Sequence, residues 1–258
     1  MPFINKFLLL IVLLLCHSVT AATEQLSYLI ISEQAEPFQI NNDKTKHQSG
    51  VISEIVDILA KQKPFVTVNQ VMPFKRYLYE MKQQSYPNWI SYGSPSWRAQ
   101  EGKQLQNKRL SKHALFIANH VAVSLKQDKP NVSPWSQLQH KTVILLKGFK
   151  YPGLPSLIDK YQMNVLEVNS HKSALLALQG KRGDLFIEMK SRILYSLKEH
   201  QIDASTFEFT NINHVIAPVA IHLSYGESVA QSLIDWIDQH ILIMKANGKI
   251  EAIIKQYQ

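Results

Sequence analysis

The feature that most constrains this chain is an alternation of short apolar runs with amphipathic helical stretches, which runs once, breaks, and starts again. Residues 26–32 (LSYLIIS), 65–71 and 88–92 have strand-like composition. Between them, Ile52, Ile55, Val56, Leu59 and Ala60 mark one face of a helix over 51–62, and a second helix runs from Met72-Pro73 to about 84. This β-α-β-α-β series is the signature of a mostly parallel sheet flanked by helices. The segment 114–125 (ALFIANHVAVSL) is too long for one ordinary strand and has the character of a chain crossing between two lobes. The alternation then restarts. Strands are expected at 141–146, 164–168 and 184–188, and helices at 154–161, 171–179 and up to about 199, with Gly180 in the left-handed position after its helix. An apolar strand at 215–223 and a helical tail from 227, divided at Asn247-Gly248, complete the chain. The pattern predicts an α/β protein of two lobes joined by two crossover strands. Lobe 1 takes residues 23–121 and 214–258, and lobe 2 takes 122–213. A cleft between such lobes is a favoured place for a small ligand.

The first 22 residues stand apart. Lys6 supplies a positive start, residues 7–15 are uninterruptedly apolar, and Val19-Thr20-Ala21-Ala22 offers small residues for cleavage, the layout of a secretory signal peptide. The apolar run is shorter than the roughly 20 residues that span a bilayer. Cys16 lies inside this leader and is the only cysteine, so the exported chain has neither a disulfide nor a thiolate nucleophile. Removing Lys6 lowers the formal net charge from +8 to +7. The basic residues are scattered, without the runs and interleaved aromatics of a nucleic-acid surface, and no nucleic-acid partner is expected. The histidines show no tight metal spacing, and no P-loop, G-x-S-x-G or G-x-G-x-x-G motif occurs. No cofactor is expected.

Several segments, in order, resemble the periplasmic solute-binding proteins of the polar-amino-acid type, the capture components of ABC importers. Glu36-Pro37-Phe38 resembles that family's Pro-aromatic turn, and Gly50-Val51-Ile52-Ser53-Glu54-Ile55 resembles its opening of helix one. Ser94-Pro95-Ser96-Trp97-Arg98 is similar to its Ser/Thr-rich stretch ending in arginine. WSQLQHK at 135–141 with Val143 and Gly148, the 180–184 turn, and MKANGKIEAII at 244–254 continue the series. The resemblance implies a type II periplasmic-binding-protein fold, a monomer, a small-molecule ligand and a membrane permease or receptor as partner. The chain departs from the family at position 189. There Met189 stands in place of the acid that holds a ligand's ammonium group, with Glu188 one residue earlier on the opposite face of a strand. Phe149 likewise follows Gly148 where a Ser or Thr is usual.

Seven residues are candidate ligand contacts. Arg98 presents a planar fork suited to a carboxylate, and the resemblance makes it the carboxylate clamp. Phe38, Tyr92, Trp97 and Tyr151 can wall a cleft and stack on a ligand, although each also suits a core position. Ser94 offers a hydroxyl donor or serves the turn at Pro95. Glu188, at the end of an apolar strand, can hold a cation, act as an acid or base with a raised pKa, or stand exposed. The expected function is periplasmic capture of a small, carboxylated, amino-acid-like solute, without chemistry. Two alternatives remain open: a cyclohexadienyl or prephenate-type dehydratase using Glu188, and a sensor that presents its ligand to a membrane receptor.

Overall fold

The computed structural model describes residues 24–42, 47–62, 65–97, 109–128 and 135–258. The expected leader lies outside them. Lobe 1 opens with β1 (Glu24–Ile31), the antiparallel pair β2 (Ile40–Asn42) and β3 (His47–Ser49), α1 (Val51–Lys61), β4 (Phe65–Met72), α2 (Phe74–Gln83) and β5 (Trp89–Gly93). Strand β1 lies between β4 and β5 and runs parallel to both, as the opening alternation requires. After β6 (Arg109–Leu110) and β7 (Phe116–Ala118), the chain crosses into lobe 2 as β8 (His120–Leu125). There β9 (Thr142–Leu146), α3 (Leu154–Lys160), β10 (Asn164–Val168), α4 (His171–Gln179), β11 (Leu185–Met189), α5 (Lys190–Glu199) and β12 (Phe207–Asn211) build a sheet in the order β10-β9-β11-β8-β12. The chain returns as β13 (Val219–Tyr225), antiparallel to β5, β6 and β7, and ends in α6 (Gln231–Ala246) and α7 (Lys249–Gln256).

The middle strands of the two sheets, β5 (WISYG) and β11 (LFIEM), are buried at every position. Both faces of each sheet are covered, so these strands are near-continuous apolar runs without alternation. One hydrophobic core fills lobe 1, and two smaller cores lie on either side of the lobe 2 sheet. Met189, although carried by β11, packs into the lobe 1 core.

Three details differ from the sequence expectation. The 114–125 segment is two strands broken at Asn119, one in each sheet, so the crossing is a single residue wide. Sheet 1 is more mixed than the alternation implies, because β13 enters it antiparallel. Gly180 does not adopt the left-handed conformation: its φ is −80°, and Lys181 takes φ +53°. The helix ends at Gln179 as expected, but Gly180 N–H donates to the Leu176 carbonyl as its C-cap, and the reversal falls on the next residue.

One glycine is indispensable to the cleft. Gly50 precedes α1 at φ +104°, and the first amides of that helix, from Val51 and Ile52, donate to the carbonyls of Pro37 and Phe38 at 2.9 and 2.8 Å. The helix terminus needs acceptors for its free amides, and the 37–38 turn supplies them. A Cβ on Gly50 would lie 2.7 Å from the Phe38 carbonyl oxygen. Gly50→Ala is therefore expected to destabilise the protein by on the order of 2 kcal/mol, measured as a lowered urea midpoint, since both the backbone angle and the close approach oppose a side chain. An unchanged midpoint would show that the turn relaxes freely.

Candidate functional site

Strands β5 and β11 point their C-terminal ends at one another across the junction of the lobes, the region of open α/β sheets where ligands bind. A cavity of about 370 Å³ lies there, at the lower end of the range for small-molecule sites. From lobe 1, α2 contributes Phe74, Tyr77 and Leu78, while β5 and the residues after it contribute Tyr92, Gly93, Ser94 and Trp97. From lobe 2 come His120, the 148–151 loop, Glu188, Met189 and Arg192.

Arg192, one turn into α5, is the charged centre of the site. It is 2% exposed, and its guanidinium lies between two aromatic faces, 5.1 Å from the Phe38 ring centroid and 5.2 Å from that of Phe149. Its Nη2 donates to the Tyr92 hydroxyl at 3.5 Å, and its Nη1 stands 3.9 Å from Glu188 Oε1. Phe38 and Tyr92 belong to lobe 1, so this side chain reaches across the cleft. A second bridge forms beside it, where Phe74 of lobe 1 stacks on Phe149 of lobe 2 at 5.1 Å. At the rim, Gln34 donates through Nε2 to the Asn169 carbonyl at 2.5 Å.

Glu188 is 1% exposed, and its Oε1 accepts the Met189 amide at 2.7 Å. His171 Nε2 stands 3.7 Å from Oε2, beyond hydrogen-bonding length, so their attraction is one of charge. Burial alone would raise the Glu188 carboxyl, but His171, Arg192 and His120 together outweigh it and bring it down to about 2. Burial has the opposite sense for His120 and lowers it. Burial also raises the phenols: Tyr92 goes to about 12 despite Arg192, and Tyr151, with Glu188 nearby, goes well above its ordinary value. Both therefore keep their protons at neutral pH. Among the described residues, several buried polar atoms on this wall have no hydrogen-bond partner, namely Arg192 Nε and Nη1, Glu188 Oε2, His120 Nδ1 and Ser224 Oγ. Such groups are few in native structures, and their collection around one cavity marks a place built for something polar.

Five of the seven candidate residues from the sequence line this cavity: Tyr92, Ser94, Trp97, Tyr151 and Glu188. Trp97 meets Tyr92 edge to face at 6.0 Å, the Ser94 hydroxyl pairs with that of Ser96, and Tyr151 OH accepts the Leu146 amide. Phe38 stands behind the wall, buried against Tyr92 and Arg192. Arg98 lies outside the described residues. Glu188 is neither exposed nor raised in pKa. It also shares the cavity wall with Met189, because β11 ends there and the chain turns into α5 before the next residue can face away. Sequence reasoning missed Arg192, Phe74 and Phe149. The one signal for the arginine was an acid four residues before it, as at Glu188 and Arg192, which on a helix would face the same way. Among the described residues, no group of three His, Cys, Asp or Glu side chains is placed to hold a metal ion.

The Glu188–Arg192 pair makes stability depend on pH in a defined direction. The folded carboxyl ionises below the ordinary value of 4.5, so its stabilisation is complete above that pH and is lost as pH falls toward 2. Glu188→Gln leaves the guanidinium buried and unpaired and is expected to cost on the order of 3 kcal/mol at pH 7. Urea midpoints of both proteins from pH 7 to pH 2 should converge at the acid end, and parallel curves would refute the role of the carboxylate.

No family model matches the sequence, and a search of curated proteins finds no match. Solved structures do match. An ABC uptake transporter substrate-binding protein from Streptococcus pneumoniae with bound histidine superposes with a TM-score of 0.68 at 11% identity, covering 90% of this chain and 92% of that one. A mutant of ArgBP from T. maritima gives 0.66 at 15% identity, covering 90% and 94%. The ancestral amino-acid-binding protein AncCDT-1, a precursor of cyclohexadienyl dehydratase, gives 0.66 at 10% identity, covering 90% and 95%. At these identities the likeness concerns architecture, and with two α/β lobes closed on a cavity and two crossings between them, the chain has the type II periplasmic-binding-protein fold.

Proposed function

We propose that this protein captures a small carboxylated, amino-acid-like solute between its lobes, performs no chemistry on it, and delivers it to a membrane importer after export through its N-terminal leader. The observation that carries this reading is Arg192, a buried guanidinium on the cavity wall with two nitrogens that make no hydrogen bond among the described residues. A planar fork of donors in a low-dielectric site favours a carboxylate partner. The Tyr92 and Tyr151 hydroxyls, still protonated, supply further donors nearby. Glu188 beside Arg192 offers a negative counterpart for an ammonium group, as an α-amino acid would need. Two of the matching structures are described as amino-acid-transporter or amino-acid-binding proteins, which agrees with a solute of this kind. Arg98 is proposed as a second clamp on the same anion.

The dehydratase alternative needs a carboxyl group that keeps its proton near neutral pH. The charges around Glu188 hold it ionised instead, which counts against its donating a proton there.

A thermal-shift screen of amino acids and organic acids against sugars and polyamines tests the reading, because a ligand bound only by the folded state raises the melting temperature. Carboxylates are expected to shift the wild-type protein, and Arg192→Gln to weaken that binding by at least about tenfold, with Arg98→Ala having a similar effect. A shift by sugars or polyamines alone, or undiminished affinity in folded Arg192→Gln, would overturn it.

A further inference from the structure

We infer that the solute carries a planar ring on its carboxylate, an inference that rests on the carboxylate reading above and narrows it. Seven aromatic side chains line the cavity: Phe74, Tyr77, Tyr79, Tyr92, Trp97, Phe149 and Tyr151. They come from three separate segments, α2, the end of β5 with the residues after it, and the 148–151 loop, so no single sequence run accounts for their convergence. Within the site they already adopt ring-to-ring geometries. Phe74 is near-parallel to both Tyr77 and Phe149, at 6.4 and 5.1 Å, and Trp97 and His120 present edges to neighbouring rings at 6.0 and 6.3 Å. Ring faces are negative and ring edges positive, so such a wall rewards another ring beyond the area it buries, whereas an aliphatic chain of equal size gains only the area. The polar groups are gathered at one part of the wall. Arg192 Nη2 donates to the Tyr92 hydroxyl and the Leu146 amide donates to the Tyr151 hydroxyl, so each phenol keeps its own proton, that of Tyr151 beside Glu188. A guanidinium and two phenols at one part of the wall suit a single carboxylate, and the rings around them suit a flat body attached to it. A volume of about 370 Å³ accommodates one ring and a short arm.

The test uses two matched pairs of ligands against the purified protein by titration calorimetry: L-phenylalanine with L-norleucine, and 3-phenylpropionate with hexanoate. Each pair shares its charged groups and differs in ring against chain. The ring member is expected to bind about five- to tenfold more tightly in whichever pair binds. Phe149→Leu, which keeps apolar bulk without a ring, is expected to reduce that preference to about twofold or less. If this variant fails to fold, the wild-type comparison alone decides. A chain member that binds as tightly as its ring partner overturns the ring inference and leaves carboxylate capture standing. Binding by none of the four ligands overturns both.

Discussion

A buried positive charge that belongs to neither lobe alone organises this molecule. Arg192 is rooted in lobe 2, but one of its aromatic faces and its hydrogen-bonding partner Tyr92 belong to lobe 1. An isolated guanidinium at this depth would be prohibitive, and Glu188 makes it tolerable by standing 3.9 Å away and remaining ionised. The pair breaks roughly even as an element of stability. Its value is positional, because it fixes a fork of donors at the one place where the central strands of both sheets end.

The scaffold is devoted to holding that place. Strands β5 and β11 are buried on both faces, so their register is fixed by packing, and the residues just beyond their C-terminal ends are delivered to the junction with little freedom. The Phe38 turn is held from below by the amides of α1. It is held from the side by Gln39, whose buried amide bonds to Ile31 N–H, the Leu29 carbonyl and the Tyr28 hydroxyl. The C-terminal helix reaches the same region, where Tyr257 OH accepts the Gly50 amide and donates to Glu54.

Much of this was legible in the sequence, because periodicity records burial. The β1, α1, β4, α2 and β5 series and its counterpart in lobe 2 arise directly from apolar spacing, and five of the residues singled out by chemistry do meet at the cavity. What was illegible has physical causes. Strands β6 and β12 are short or half-exposed, so they carry no apolar pattern of their own and exist only because a neighbouring strand offers them hydrogen bonds. Asn119 separates two strands within one apolar run, and nothing in composition distinguishes a crossing from a continuation. Arg192 sits among Lys190, Ser191 and Tyr195 in a helix whose composition suits a solvated surface. Only the arrival of Phe38 and Tyr92 from the other lobe encloses it, and such contacts between distant segments leave no local trace.

The rings around Arg192 form a continuous column that passes from Tyr77 and Phe74 in lobe 1 to Phe149 and the guanidinium in lobe 2, and back to Phe38 in lobe 1. Parting the lobes must separate Phe74 from Phe149 and Arg192 from Phe38 in the same movement. Contacts that break together make opening a single cooperative event with one barrier, in place of a gradual widening. A solute enclosed behind such a column would leave at the frequency of that event, so its residence time would be set by the protein as well as by its own grip on the site.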